Sequence, residues 1–381
     1  MSIIQQNSII ESMIYLCGCA VNEVTPKPEV ISSIDLDLLF EVANKHKLAA
    51  MIGLVLKSIG VTTSHFKNAI ALAQRATVIL NGDLANVVSA FESSGIWYMP
   101  LKGAILKEYY PKFAMREMCD CDILIDETRA ADVKAIMERL GFQVKRYGIY
   151  NDDDYLKPPV SSFEMHRSLF GDMHDKKLYE YYKQVKNILL KDENNEYGYH
   201  FSLEDFYIFM IAHEYKHYNM GGTGLRSLLD TYVFLQKNEL DMAYVKAELE
   251  KLGIRDYEKK SRSLSNKLFS YFDEELTKED QQMLEYIISS GTYGSLVHQI
   301  ENTIHETGKG KLQYIVRRFF EPFSKDDPHR KHYRRKYATF FKHPILLPFL
   351  PFYRLFKALR TDPKRIRSEA NALRKAGKAT R

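Results

Sequence analysis

The spacing of hydrophobic residues divides the chain into two helical stretches with a mixed segment between them. Apolar positions recur every three to four residues through 1–93, which is the period of amphipathic helices, and the proline-free stretch 66–93 predicts one long helix. The pattern changes at 96–99, a short apolar run typical of a β-strand. Apolar and acidic residues then alternate over 119–125, which predicts a strand with two distinct faces. Helical spacing returns from 178 onward, so the sequence predicts an α+β protein with a small mixed sheet between helical regions.

Glycines and prolines separate further predicted elements within the mixed segment. We expect a short helix at 105–110, a helix at 128–140, strands at 142–147 and 160–166, and an acidic loop at 151–154. The predicted regions are an N-terminal helical region (1–93), an α/β region (94–177), a C-terminal helical domain (178–324) and a basic, proline- and aromatic-containing tail (325–381).

The amino-acid composition is that of a globular protein. The chain has 381 residues, of which 45% are hydrophobic and 27% charged, as in ordinary globular proteins. No apolar run approaches the roughly 18 residues that a membrane-spanning helix needs. The first basic residue is Lys27, so the N-terminus does not resemble a secretory signal. Four cysteines in two C-x-C pairs are too few for a disulfide framework, and we expect a cytoplasmic protein.

The net charge of +5 is unevenly distributed. Residues 325–381 contain 17 Lys and Arg against 4 Asp and Glu, a local net charge of +13, so the remainder carries −8. The tail also contains an apolar and aromatic stretch from His343 to Tyr353, followed by basic residues. This combination suits packing on the rest of the protein, weak contact with an anionic membrane surface, or contact with nucleic acid, although no nucleic-acid-binding module is recognisable.

The most informative chemistry lies between Leu101 and Asp126. Asp120 and Asp122 are two residues apart on the predicted strand, so their carboxylates project from one face. A divalent cation relieves the repulsion between two such groups, and oxygen-only ligands suit Mg²⁺ or Mn²⁺. Glu164, on a later strand, supplies the third carboxylate that a two-metal site usually needs. The sequence therefore predicts that these three acidic residues are catalytic and bind metal.

A predicted strand-to-helix turn at Lys102 and Gly103 precedes the acidic strand. A glycine at this position lets the backbone approach a phosphate closely. The helix that follows would direct its amide groups and its positive dipole at an anion. We expect Lys102 or Arg116 to contact phosphate as well. The order of these parts suits metal-assisted phosphoryl or nucleotidyl transfer.

Together these residues resemble the DNA polymerase β-like nucleotidyltransferase superfamily, and in particular a bacterial family of uncharacterised nucleotidyltransferases. The matching residues are Leu101-Lys102-Gly103, Arg116, Asp120-Cys121-Asp122, Glu164-Met165-His166, His213, His217, Gly224-Leu225-Arg226 and Asp230. The resemblance implies a mixed-sheet nucleotidyltransferase palm over 94–177 and two metal ions. It also implies attack of an acceptor hydroxyl on the α-phosphate of a nucleoside triphosphate such as ATP.

In the mechanism that the resemblance implies, Asp120 and Asp122 hold both Mg²⁺ or Mn²⁺ ions. Glu164 binds the metal nearer the attacking hydroxyl and helps to deprotonate it. The predicted nucleotide- and phosphate-binding residues are Lys102, Gly103, Arg116, His213, His217 and Arg226. The acceptor stays open between a small molecule, a sugar phosphate, a peptide, a protein and RNA.

Two alternative functions remain at this stage. His213-Glu214-Tyr215-Lys216-His217 matches H-E-x-x-H, the zinc-binding motif of many hydrolases, although Met220 and Thr223 stand where one subclass needs Gly and His. The second alternative is a non-catalytic member that only binds nucleotide.

Several residues also have simpler structural interpretations. The two histidines can be a helix-packing pair, and Arg226 and Asp230 are spaced to pair across one helix turn. His166 either orients Glu164 or faces solvent.

Overall fold

The computed structural model describes residues 3–171, 176–270, 274–292, 294–307, 310–323, 333–334 and 336–376. Helices dominate these ranges, and one five-stranded mixed sheet lies among them. No helix within them is long and apolar enough to cross a membrane. The predicted α+β class, a small mixed sheet flanked by helices, is confirmed.

The N-terminal part is helical, as its periodicity predicts. Its helices are α1 (Ile3–Val21), α2 (Pro28–Ser32), α3 (Leu36–Lys45), α4 (Ala49–Ser58) and α5 (Ser64–Ser93). Asp35 and Thr63 precede α3 and α5, and their side-chain oxygens accept hydrogen bonds from the first free backbone amides. The long helix expected up to residue 93 is confirmed.

The mixed segment forms the sheet. Its elements are β1 (Tyr98–Pro100), α6 (Gly103–Leu106), a 3₁₀ turn (Lys107–Tyr109), β2 (Cys121–Ile125), a second 3₁₀ turn (Glu127–Arg129), α7 (Ala130–Arg139), β3 (Gln143–Arg146), β4 (Asp152–Lys157) and β5 (Ser161–His166). The strand order is β1-β2-β5-β4-β3. Only β2 and β5 pair in parallel; the other neighbours are antiparallel.

Two local predictions are wrong in this segment. The acidic loop expected at 151–154 is the start of β4, because Tyr155 is needed in the core below the sheet and fixes the alternation of the residues before it. The helix expected at 105–110 is the shorter α6 followed by a 3₁₀ turn, which Pro111 ends.

Among the described residues of the C-terminal part, the regular elements are helices except for one small hairpin, β6 (Leu190–Lys191) with β7 (Tyr199–His200), which the periodicity did not predict. Its helices are α8 (Lys176–Tyr182), α9 (Leu203–Met220), α10 (Leu225–Lys237), α11 (Met242–Leu252), α12 (Arg255–Phe269), α13 (Lys278–Ser290), α14 (Leu296–Thr307), α15 (Lys311–Phe320), α16 (Ala338–Lys342), α17 (Leu350–Thr361) and α18 (Pro363–Lys375). Short 3₁₀ segments lie at Val185–Ile188, Glu321–Phe323 and Pro344–Phe349.

Helices cover both faces of the sheet. Apolar residues of β2 and β5, such as Ile123 and Phe163, pack against α5 and α7. On the opposite face, Leu124 belongs to a core formed largely by α9 and α11. The N-terminal helices are also tied to the C-terminal ones, since Met13 of α1 and Leu264 of α12 share a single core. This packing fixes α9 over the face of the sheet that carries the acidic residues.

Candidate active site

Asp122 and Glu164 lie opposite each other on adjacent parallel strands. The register pairs Asp122 of β2 with Glu164 of β5, and His166 follows two residues later on the same face. His166 Nε2 lies 2.8 Å from Asp122 Oδ1 and 3.7 Å from Glu164 Oε2. One ligand atom of each residue lies within 4.8 Å of the others, so the three can hold a metal ion. We refer to them as the carboxylate–histidine cluster.

Lys102 brings a positive charge to this cluster. Its Nζ donates to Asp122 Oδ1 over 3.1 Å. The predicted turn is present, and Lys102 has a φ of 39°, which is rare for a residue with a side chain. A side chain at position 103 would be crowded, because a Cβ there would lie 2.8 Å from the Arg116 guanidinium. Glycine avoids this contact. However, α6 has only four residues, so its dipole is much weaker than the sequence analysis expected.

The two carboxylates of the cluster have opposite protonation preferences. Burial opposes ionisation of Asp122, but the Lys102 ammonium and the His166 hydrogen bond outweigh it and hold the pKa of Asp122 well below its ordinary range. Burial and the charges of Asp122 and Asp120 raise the pKa of Glu164 to about 8. The cluster therefore has too little positive charge for both carboxylates to ionise near neutral pH. A divalent cation would supply that charge, so the donor set fits a metal ion.

Asp120 lies near the cluster but apart from its ligand atoms. It immediately precedes β2 rather than lying on it, so the strand predicted from residue 119 begins two residues late. Within the described part of the chain, Asp120 joins neither group of three potential ligands. Burial and the Asp122 charge raise the pKa of Asp120, whereas Lys102 and Arg226 lower it. Asp120 therefore lies within electrostatic reach of Asp122, Lys102 and Arg226.

Two further acidic residues, not predicted as site residues from the sequence, lie on the same face. Asp152 and Asp154 of β4 form a second group of potential ligands with Glu164, and the register places Asp154 directly opposite Glu164. The Arg146 guanidinium pairs with both aspartates, so their charges are already partly neutralised. Residues 152–157 read Asp-Asp-Asp-Tyr-Leu-Lys, with no alternation of apolar and polar residues, so the sequence pattern carried no signal for this strand.

His213 and His217 reach the same cleft from α9. Their Nε2 atoms lie 3.0 Å apart, and burial together with neighbouring cations such as Lys102 lowers the pKa of both. Lys216 lies there too: burial and the Lys102 ammonium lower its pKa, whereas carboxylates including Glu164 raise it. Lys216 was not predicted as a site residue, because it occupies an unspecified position of the H-E-x-x-H match.

The glutamate of that match is directed away from the histidines. Glu214 is buried and accepts a hydrogen bond from the Tyr257 hydroxyl over 2.8 Å. Burial raises the pKa of Glu214 to about 7. Among the residues that the structure describes, neither His213 nor His217 belongs to a group of three potential ligands. The motif therefore lacks the geometry of a zinc hydrolase.

Arg116 is buried in an ion pair rather than open to a ligand. Its Nε and Nη2 donate to the two carboxylate oxygens of Asp230 over 2.7 and 2.8 Å, and the Tyr110 hydroxyl also donates to Asp230. The pairing of Arg226 with Asp230 across a helix turn is therefore wrong. Arg226 Nη1 instead donates to the carbonyl of Glu117 over 2.9 Å, in the loop that leads to Asp120.

A family model described as an uncharacterised nucleotidyltransferase matches residues 32–270, more than half of the chain. The chain belongs to this family. The match runs from the end of α2 to the end of α12 and so contains the sheet, the carboxylate–histidine cluster and the histidines of α9. Membership in this nucleotidyltransferase family implies a nucleotide substrate, as the sequence resemblance does. No curated protein and no solved structure matches the chain.

Proposed function

We propose that this protein is a Mg²⁺-dependent nucleotidyltransferase that moves a nucleoside monophosphate from a nucleoside triphosphate, ATP included, to an acceptor hydroxyl in the cytoplasm. The observation that carries the proposal is the pairing of Asp122 with Glu164, beside His166 and Lys102, in a member of this family. This pairing supports the proposal, because it brings two carboxylates that could hold a metal and a cation that could contact phosphate into one cleft.

We propose that the residues of the carboxylate–histidine cluster are the metal ligands. Asp122, Glu164 and His166 would hold Mg²⁺ or Mn²⁺. Asp120, whose charge acts on Asp122, would join Asp122 in holding a second ion. Such ions neutralise the triphosphate and stabilise the charge that develops on it. Before a metal binds, His166 Nε2 holds the Asp122 carboxylate through its 2.8 Å contact, and it would exchange this contact for the metal.

The protein side chains position the reactants and move the proton. The acceptor oxygen forms a bond to the α-phosphorus, the bond from that phosphorus to the bridging oxygen breaks, and pyrophosphate leaves with the electron pair. The acceptor proton passes to the ionised Glu164 carboxylate. The side chains proposed to contact the triphosphate are Lys102, Lys216, Arg226, His213 and His217.

Arg116 has a different role in this proposal. Its guanidinium is engaged by Asp230, and it also packs against Gly103. It therefore positions the turn that carries Lys102 rather than contacting phosphate.

Calorimetric titration with each common nucleoside triphosphate, with and without Mg²⁺ or Mn²⁺, tests the nucleotide site. We expect metal-dependent binding of at least one triphosphate, weakened at least about 100-fold by Asp122→Asn. Asp132→Asn is the matched control, because Asp132 is an exposed aspartate of α7 on the far side of the sheet. Both variants should retain the circular dichroism spectrum of the wild type.

The outcomes separate the proposal from its alternatives. Pyrophosphate release in the presence of acceptor mixtures supports transfer, and intact-mass analysis then identifies the acceptor. Metal-dependent binding with no turnover in any mixture would favour a non-catalytic nucleotide-binding protein. Folded wild type that binds no triphosphate would reject the proposal.

A further inference from the structure

Helix α15 exposes an apolar stripe to solvent. Leu312, Ile315, Val316 and Phe320 recur at helical spacing on one side of the helix, and Leu312 is 76% exposed. The other side of α15 is packed, since Arg318 pairs with Glu369 of α18. This helix is therefore amphipathic, but its apolar side faces away from the protein.

A second exposed stripe runs along the segment 344–361. Ile345, Phe349, Phe352, Phe356 and Leu359 follow one another at intervals of three or four residues across the 3₁₀ segment and α17. Ile345 is 85% exposed, and Phe352 and Phe356 are each 63% exposed. Apolar side chains scattered singly on a surface are normal, but two aligned rows of them mark an interaction surface.

The two rows meet. The rings of Phe319 and Phe352 are in edge-to-face contact, with centroids 5.1 Å apart. Arg354 also donates to the carbonyl of Phe319 over 3.5 Å, which ties α17 to the end of α15. The rows therefore touch at Phe319 and Phe352, and we call the two rows together the tail surface: Leu312, Ile315, Val316, Phe319, Phe320, Ile345, Phe349, Phe352, Phe356 and Leu359.

Exposed basic residues lie on α17, which carries part of the tail surface, and on α18, the helix that follows it. Lys357 and Arg360 are exposed on α17, next to its apolar row, and Lys364, Arg365 and Arg367 are exposed on α18. Residues 325–381 carry a net charge of +13. An apolar row with Lys and Arg beside it favours the boundary between the headgroups and acyl chains of an anionic bilayer.

We propose that the tail surface binds the interface of membranes that contain anionic lipid, with α15 and α17 lying in the plane of the bilayer. A second copy of the chain fits poorly, because pairing two tails would bring two strongly basic segments together. Nucleic acid would satisfy the charges but would leave Ile345, Phe356 and Leu359 without an apolar environment. Only a lipid interface satisfies both features of the surface. This inference is independent of the proposed nucleotide chemistry.

Vesicle flotation of the full chain tests the proposal. The vesicles would contain either phosphatidylcholine alone or phosphatidylcholine and phosphatidylglycerol in equal parts. We expect the protein to float with the anionic vesicles, much less with the neutral ones, and less again as salt is added.

Surface variants identify the segment that binds. We expect Phe356→Ser/Leu359→Ser to lower the partition coefficient about 30-fold. Lys357→Gln/Arg360→Gln should lower it about 10-fold at low salt. The matched controls are Leu72→Ser/Val78→Ser and Lys67→Gln/Arg75→Gln, which alter equally exposed residues of α5 and should leave partitioning unchanged. All four variants change exposed side chains, and their thermal unfolding should match the wild type.

Several results would overturn the proposal. They are the absence of flotation with anionic vesicles, flotation that survives Phe356→Ser/Leu359→Ser, and an equal loss in the α5 controls. Concentration-dependent dimerisation without vesicle binding would assign the tail surface to a second copy. Binding to RNA without vesicle binding would assign it to nucleic acid.

Discussion

On one face of the sheet, Ile123, Phe163 and Met165 are fully buried against α5 and α7. On the other face, their immediate neighbours in the chain, Asp122 and Glu164, meet in a cleft under α9. The two faces share the same strands and the same backbone hydrogen bonds. They differ only in their side chains, because successive residues of a strand point to opposite faces.

From this difference in side chains we infer different roles for the two faces, one in stabilising the fold and the other in binding ligands. The apolar face removes hydrocarbon from water, which stabilises the fold. The polar face holds like charges close together, and burial with the Asp122 and Asp120 charges raises the pKa of Glu164 to about 8. It also carries a residue with positive φ, Lys102. We expect substitutions on the first face to change the free energy of unfolding and those on the second to change ligand binding.

The largest expected effect is on the apolar face. Phe163 is fully buried, and its ring contacts that of Phe142 with centroids 5.1 Å apart. Phe163→Ala should lower the free energy of unfolding by about 4 kcal/mol, because it leaves a cavity between the sheet and the helices. Urea unfolding measures this loss. Nucleotide affinity per folded molecule should stay close to wild type, and its disappearance in a folded variant would show that the two faces are not independent.

The second prediction concerns the buried ion pair between Arg116 and Asp230. It tests whether a charged residue near the site contributes to stability rather than to ligand binding. Arg116→Met alone should cost about 3 kcal/mol, because it leaves the Asp230 carboxylate buried with only the Tyr110 hydroxyl as partner. Arg116→Met/Asp230→Leu should recover most of that loss, since it removes both charges. Thermal unfolding measures each variant.

Nucleotide affinity of the double variant then distinguishes the two roles of Arg116. A positioning role predicts that affinity recovers together with stability. Direct phosphate contact predicts that affinity stays low in a stable protein.

Helix α9 also has a core side and a cleft side. Glu214 faces the core, whereas His213 and His217 face the cleft. Burial raises its pKa from 4.5 to about 7. The folded state therefore holds this proton more tightly than the unfolded chain does, and the stabilising contribution falls as the pH rises from about 4.5 to about 7. Above pH 7, Glu214→Gln should be more stable than wild type by about 3 kcal/mol, with no difference below pH 4.5.

Urea unfolding across this pH range measures the difference, and nucleotide binding is measured on the same samples. Transfer chemistry predicts that Glu214→Gln binds nucleotide like the wild type. A zinc hydrolase would lose its activity in this variant, and stoichiometric zinc in the purified protein would support that function instead.

The alternation of residues 121–125 and 161–166 was enough to predict two strands and to place Asp122 and Glu164 on them. Local pattern also predicted the long helix α5 and the turn at Lys102. These features depend on neighbours in the chain, which a sequence displays directly.

Long-range features were not predictable in the same way. The sequence does not state that β2 pairs with β5, which opposes Asp122 to Glu164, nor that Arg116 pairs with Asp230, 114 residues away. His166 is a potential metal ligand because the pairing of β2 with β5 brings it close to Asp122. Periodicity identifies which residues share a face, whereas strand pairing decides which of them meet.

The smallest expected effect concerns the backbone of the polar face. Lys102 has a φ of 39° and a ψ of −106°, a conformation that glycine adopts much more easily than other residues. Lys102→Gly and Lys102→Ala both remove the ammonium beside Asp122, so both should weaken nucleotide binding, and they differ only in backbone preference. We expect the glycine variant to be more stable than the alanine variant by about 1 kcal/mol. Lys134 of α7 is the control, because in a regular helix alanine should be the more stable of the pair by a similar amount. Equal stabilities at Lys102 would mean that this turn carries no strain, and the polar face would then differ from the apolar face in charge alone.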